Sequence, residues 1–296
     1  MKCDLCPRKC LVDRKKGEKG ICGQTENLKV ARAALHFWEE PCISGDAGSG
    51  AVFFSGCPLH CVFCQNENIA NGTVGKEISL ERLVDIFLEL QEKRANNINL
   101  VTPGHFVPQI VKALDQARKE GLTLPVVYNT SSYETVDTIK MLEGYVDIYL
   151  PDFKYMSPVL SKKYSHAPDY AEVAKAAIAE MVRQTGKAVF VNGDEDNLIL
   201  SGTIVRHLTL PGCMADSMQI LKYLHDTYGD MIYISIMNQF TPLSNLEKYP
   251  ELNRRITDEE YETLVDYAIE IGIENGFIQE GNTAEESFIP AFDCEG

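Results

Sequence analysis

The chain has 296 residues, 45% of them hydrophobic and 24% charged, and its 43 acidic against 28 basic side chains leave a net charge of −15. That balance excludes a phosphate-backbone partner, which Lys and Arg would have to neutralise, so no nucleic acid is expected. Its longest apolar runs, such as Ala51 to Phe54 and Met231 to Met237, fall far short of the roughly 18 residues of a membrane span.

The first residues, Met-Lys-Cys-Asp-Leu-Cys, hold no apolar signal stretch, and a cytoplasmic, monomeric protein without membrane contact is expected. In a reducing compartment ten cysteines serve better as metal ligands or reactive thiols than as disulfides. Four of them, Cys3, Cys6, Cys10 and Cys22, crowd a loop-rich opening segment whose turn residues are Gly17, Gly20 and Gly23. Residues 1–26 cannot hold themselves together by burial, and a zinc ion or an auxiliary iron–sulfur cluster on the four thiols would supply the missing folding free energy. Seven of the first 20 residues are basic and three acidic, leaving 21 basic and 40 acidic for the rest. The simplest reading of this positive lobe is a solvated loop.

A short apolar run from Lys29 to Phe37 precedes the glycine-rich Ser44-Gly45-Asp46-Ala47-Gly48-Ser49-Gly50. Without a Walker lysine or GxGxxG spacing it reads as a tight connection near the site and not as a phosphate cradle. Six strands are then predicted, at Ala51–Ser55, Ile98–Thr102, Pro125–Asn129, Val146–Leu150, Ile204–Leu210 and Met231–Met237. Helices are predicted near 80–94, 106–120, 134–143, 170–185, 214–228 and 257–272. Ser79 and the Thr257-Asp258-Glu259-Glu260 capping box mark two helix starts, and Gly121 and Gly229 mark two stops. Residues 187–202 read as a β-hairpin decorating the fifth strand. Strict βα alternation with long crossovers requires parallel neighbours. The expected fold class is therefore α/β, a partial (βα)6 TIM-like barrel over 27–280, with active residues at the C-terminal ends of its strands and an acidic tail over 281–296.

Directly after the first of these strands comes Gly56-Cys57-Pro58-Leu59-His60-Cys61-Val62-Phe63-Cys64. Three thiols in a CxxxCxxC array fall one short of the four that usually hold an iron–sulfur cube, so one iron would keep an open corner for a small ligand. Phe63 can lay its ring beside an adenine or pack in the core. His60 suits a loop residue or a hydrogen-bond donor to the cluster.

This array, with an aromatic residue before its last cysteine, resembles the signature of the radical S-adenosylmethionine (radical SAM) superfamily. The resemblance implies that Cys57, Cys61 and Cys64 hold a [4Fe-4S] cluster, that SAM chelates its fourth iron, and that one electron cleaves SAM to a 5′-deoxyadenosyl radical. Residues 38–245 are similar to the activating enzymes of glycyl-radical enzymes, typified by the pyruvate formate-lyase activating enzyme. Trp38-Glu39-Glu40-Pro41 and Gly48-Ser49-Gly50 resemble the lead-in of an activase-like branch. Asp152-Phe153-Lys154 matches that family's Asp-x-Lys, Asn129-Thr130 stands at its Asp-Thr, and Arg206 with Pro211-Gly212 matches its fifth strand and turn. Of these, Asn129, Thr130, Asp152, Lys154 and Arg206 are the implied SAM contacts. Two positions depart from the pattern. Thr102-Pro103-Gly104-His105 replaces Gly-Gly-Glu-Pro, so Thr102 or His105 would approach the SAM ammonium, and Gln239 stands near the family's histidine.

The implied partners are a protein substrate, such as a glycyl-radical enzyme, and a flavodoxin- or ferredoxin-type electron donor. Radical modification of a peptide or small molecule is the alternative within the same chemistry, and a metal-binding interaction module is the reading without catalysis. Cys42, Cys213 and Cys294 lie outside both arrays. Cys213, after Pro211-Gly212, suits either a relay at the mouth or an ordinary buried thiol.

Overall fold

The structure is a computed structural model, and it describes residues 2–194, 197–243 and 246–279. The tail over 281–296 and Cys294 lie outside the described residues.

The chain runs β1 (Leu28–His36), α1 (Pro41–Ser44), β2 (Ser49–Phe54), α2 (Glu67–Ala70), β3 (Lys76–Ile78), α3 (Leu80–Glu92), β4 (Ile98–Val101) and α4 (Val107–Lys119). It continues through β5 (Val126–Thr130), α5 (Val136–Lys140), β6 (Ile148–Pro151), α6 (Pro158–Ser165), α7 (Tyr170–Thr185), β7 (Val189–Phe190) and β8 (Ile199–Leu208). The last elements are α8 (Met214–Tyr228), β9 (Tyr233–Met237), α9 (Asp258–Glu270) and β10 (Gly276–Ile278). One sheet has the order β10-β9-β8-β6-β5-β4-β2-β1-β3. From β2 to β10 every neighbour along it is parallel, whereas β1 pairs antiparallel with both β2 and β3. Among the described residues the two edge strands do not pair, so this is an open, partial barrel, as the βα alternation requires. No described helix is long and apolar enough to cross a membrane.

Alternation along each strand sorts its side chains to two faces. Val52, Phe54, Leu100, Val126 and Tyr128 turn outward and pack with Leu83 and Phe87 of α3 and Ile110 and Leu114 of α4. The other face lines the lumen. Its lower half is apolar, with Val127, Ile148, Leu150, Ile204 and Tyr233 closing around Cys42 and Ile43 of α1. The short α1 is therefore a stopper inside the barrel. Ser79 caps α3 by accepting the Arg82 N–H at 3.1 Å, and Thr257 and Glu260 form the expected capping box on α9.

The predicted strands and helices hold with shifts of a few residues, but α5 covers only Val136–Lys140, and β1, β3, β10 and α6 are additional. Val189 pairs antiparallel with Ser201, giving the expected hairpin on β8. The glycine-rich passage is a tight connection, since a Cβ on Gly50 would stand 2.7 Å from the Asn97 carbonyl. It is not near the site, however: it leads into the N-terminal end of β2, and the cysteine loop leaves the other end.

Candidate functional site

At the C-terminal ends of the strands lies a cavity of about 480 Å³ lined by Cys57, Cys61, Phe63, Cys64, Thr102, Asn129, Thr130, Asp152, Lys154, Arg206 and Gln239. Eleven of the twelve residues expected at the cysteine triad and around SAM thus share one cavity. His105 is the correction. Its ring is buried, packs at a tilt of 49° against Phe106 with centroids 4.3 Å apart, and bonds the Ser55 carbonyl through Nε2 at 2.7 Å. Burial lowers its pKa to about 3, so it is a neutral packing residue outside the cavity. Phe63 lines the wall and packs edge-on against Phe240, with centroids 6.0 Å apart, so the core packing expected of it is present.

The three thiols are held differently. Ser165 Oγ donates to Cys61 Sγ at 3.0 Å. Burial first, and the neighbouring thiols second, push Cys57 to about 11 and Cys64 to about 12. Each is thus costly as an isolated thiolate and would be relieved by a polycationic centre, which deprotonates its sulfur ligands. Among the described residues no His, Cys, Asp or Glu group is drawn in to hold a single metal ion. Cys57, Cys61 and Cys64 all line the one cavity, and three thiols are the donor set that fits a cluster keeping one iron free.

Opposite the thiols runs a chain of charge. Lys154 Nζ bonds Asp152 Oδ2 at 2.6 Å, and Arg206 Nε reaches Asp152 Oδ1 at 3.1 Å. Arg206 also donates to Glu39 Oε2 at 2.9 Å and to Asn129 Oδ1 at 2.6 Å. Asn99 and Asn129 donate to the second Glu39 oxygen at 3.0 and 3.2 Å. Burial works against ionising Asp152, but Lys154 and Arg206 outweigh it and hold its carboxyl below the usual range. A fixed cation at Lys154 therefore faces the cavity with its counter-ion locked behind it.

Glu39 and Glu40 both line the cavity and were missed as site residues. They lie in the Trp38-Glu39-Glu40-Pro41 lead-in, and only the folding of α1 into the lumen turns them inward. A carboxylate does lie beside Thr102-Pro103-Gly104-His105, but it does not line the cavity. Glu134, from the loop after β5, packs its carboxylate against Gly104, where any Cβ would collide with both of its oxygens. It accepts from Thr130 Oγ1 at 2.8 Å, and burial raises its pKa to about 7.

The N-terminal segment is docked on the mouth. Arg8 donates to the carbonyls of Pro58, Ser165 and His166 at 2.8, 2.9 and 2.6 Å. Buried Arg14 donates to the His105 and Thr25 carbonyls. The positive lobe is therefore not simply solvated. His60 bonds the Ile21 carbonyl through Nε2 at 2.8 Å, tying the cysteine loop to the segment that carries Cys22. Among the four cysteines there, Cys10 Sγ accepts the Ile21 N–H at 3.2 Å. Cys213 is half-buried and does not line the cavity, so the relay expected of it there is not met, and Cys42 belongs to the stopper.

A partial parallel barrel with three thiols at the mouth of its first parallel strand defines a class. Residues 51–197 match the radical SAM superfamily, and this part of the chain is a radical SAM domain. That superfamily implies a [4Fe-4S] cluster and SAM as cofactors. An uncharacterized protein of Methanocaldococcus jannaschii is 27% identical over 275 residues, 90% of this chain and 74% of that protein. HydG, a maturase of the [FeFe]-hydrogenase, superposes with a TM-score of 0.51 at 14% identity, over 76% of this chain and 50% of its own. Streptococcus suis SuiB, solved bound to S-adenosylmethionine, gives 0.52 at 13%, over 76% and 48%. This chain spans about half the length of those two structures, and at such identities the likeness is one of fold.

Proposed function

We propose that Cys57, Cys61 and Cys64 hold the [4Fe-4S] cluster and that Thr102, Asn129, Thr130, Lys154, Arg206 and Gln239 surround SAM. The observation that carries this reading is that the three thiols, Lys154 and Arg206 line one cavity. When bound, the cluster and SAM supply a carbon radical that takes a hydrogen atom from the substrate. The protein's own contribution is geometric and electrostatic. Lys154 offers a cation to a carboxylate, Asp152 and Glu39 fix Arg206, Phe63 and Phe240 keep the wall apolar, and α1 closes the lumen below to water.

In this reading the substrate is a partner protein, and the activase-like motifs favour a glycine of a glycyl-radical enzyme, with a flavodoxin- or ferredoxin-type donor supplying the electron. Modification of a peptide or small molecule is the second reading. It is supported by the fold shared with SuiB, which has been solved bound to a precursor peptide. Residues 1–26 form the unit that would hold zinc or a second cluster through Cys3, Cys6, Cys10 and Cys22.

The test is anaerobic reconstitution followed by incubation with SAM and a strong reductant. Wild-type protein yields 5′-deoxyadenosine, and Cys57→Ala, Cys61→Ala or Cys64→Ala protein yields none. Electron paramagnetic resonance of the reaction with anaerobic lysate detects a radical on a second chain. Product from all three cysteine variants would refute the cluster assignment.

A further inference from the structure

The floor of the cavity holds one acidic group that forms no ion pair among the described residues: burial raises its pKa, and the charge of Arg206 offsets this only in part. Glu40 enters the lumen just ahead of the α1 stopper. Its carboxylate hydrogen-bonds Ser235, yet its Oε2 is buried and without a partner among the described residues. The residue is 9% exposed and lines the cavity. The nearby cations are committed elsewhere, Lys154 to Asp152 at 2.6 Å and Arg206 to Glu39 at 2.9 Å and Asp152 at 3.1 Å. Three carboxylates thus share two cations, and the odd one carries the unsatisfied oxygen.

An orphaned carboxylate oxygen is among the costliest features a protein interior can hold, and a second hydroxyl beside Ser235 would have removed it. Its height in the barrel matters as well. Ser235 pairs in register with Arg206, two residues inside the end of β9 at Met237, whereas the thiols lie on a loop beyond the end of β2. A ligand group that reaches Glu40 has passed the thiols and entered the lumen.

We infer that Glu40 receives a cationic nitrogen, an ammonium or guanidinium group, of a molecule bound in this cavity. The inference rests on the cavity being the substrate well proposed above. Two sources share this chemistry: the basic group of the substrate, and the ammonium of SAM, whose usual carboxylate partner is replaced by Thr102-Pro103-Gly104-His105. A neutral donor would satisfy one lone pair, but a cation also cancels the charge that burial penalises.

The test is a binding measurement on the reconstituted holoprotein and needs no radical chemistry. The chain's single tryptophan, Trp38, lines the same cavity and reports occupancy by fluorescence. The probes are n-butylguanidinium and its neutral isostere n-butylurea, with and without SAM, and SAM binding is measured separately by equilibrium dialysis. Wild-type protein is expected to prefer the guanidinium at least tenfold, and Glu40→Gln to reduce that preference to within twofold, if the substrate supplies the cation. If SAM supplies it, Glu40→Gln weakens SAM binding about tenfold and no guanidinium preference is seen. Glu40→Gln should melt at or above the wild-type temperature, since it removes a buried carboxyl whose ionisation burial penalises, and Glu81→Gln on the surface of α3 should change nothing. A guanidinium preference that survives Glu40→Gln, or no effect on either ligand, overturns the inference. Failure of 5′-deoxyadenosine formation by wild-type protein would instead strike the proposed function and leave the binding result to stand by itself.

Discussion

Arg206 of β8 reaches across the lumen to Glu39, a residue 167 positions earlier, with Nη1 2.9 Å from Oε2. The contact ties the segment before the stopper to the strands around it, and the same guanidinium holds Asp152 and Asn129. Replacing Arg206 with Met leaves Glu39 and Asp152 short of a buried counter-ion. Removal of one partner from such a network costs about 3–5 kcal/mol. Chemical denaturation should show this loss, and Glu39→Gln/Arg206→Met together should recover part of it. Independent, additive effects would contradict the network.

Gly104 takes the place that the Glu134 carboxylate leaves for it. Gly104→Ala drives a methyl into both carboxylate oxygens, and overpacking at such a site costs about 1–3 kcal/mol. The thermal midpoint should fall in Gly104→Ala and recover in the double variant with Glu134→Ala.

The protonation of Glu134 makes stability depend on pH. Its pKa is raised in the folded protein to about 7 from 4.5, so the native state binds a proton that the unfolded chain releases. The stabilisation is fully present below pH 4.5 and is lost as pH rises through 7, about 3 kcal/mol in all. Urea unfolding between pH 4.5 and 8 should show this slope as the difference between wild type and Glu134→Gln. A difference that is flat, or that grows in favour of the wild type with rising pH, would contradict the assignment.

Two side chains fasten the N-terminal segment to the cysteine loop, Arg8 to the Pro58 carbonyl at 2.8 Å and His60 to the Ile21 carbonyl at 2.8 Å. Each bond is worth about 1 kcal/mol. Arg8→Ala/His60→Ala should therefore expose residues 2–26 to limited proteolysis several-fold faster while the melting of the barrel changes little. Unchanged cleavage would mean that other contacts carry the docking.

The barrel was legible because its strands follow local rules: runs of five to seven residues rich in apolar side chains, capped helices between them, and a cysteine loop directly after a strand. The run from Lys29 to Phe37 carries no signal of its antiparallel pairing with β2 on one side and β3 on the other, and three-residue β3 and β10 are too short to carry a pattern. The site divides in the same way. Asp152, Lys154 and Arg206 could be read from motifs at strand ends. Glu39 and Glu40 could not, because their direction depends on Cys42 and Ile43 burying themselves among Val127, Ile148 and Ile204. His105 misled for the opposite reason: it sits in the right loop, but its ring turns to Ser55.

The α1 stopper has a kinetic consequence. The lumen is plugged below by Cys42 and Ile43, so under the proposed function a molecule that reaches Glu40 lies beneath the one beside the thiols. Ordered binding, the deeper ligand first on and last off, is the kinetic pattern expected of that arrangement.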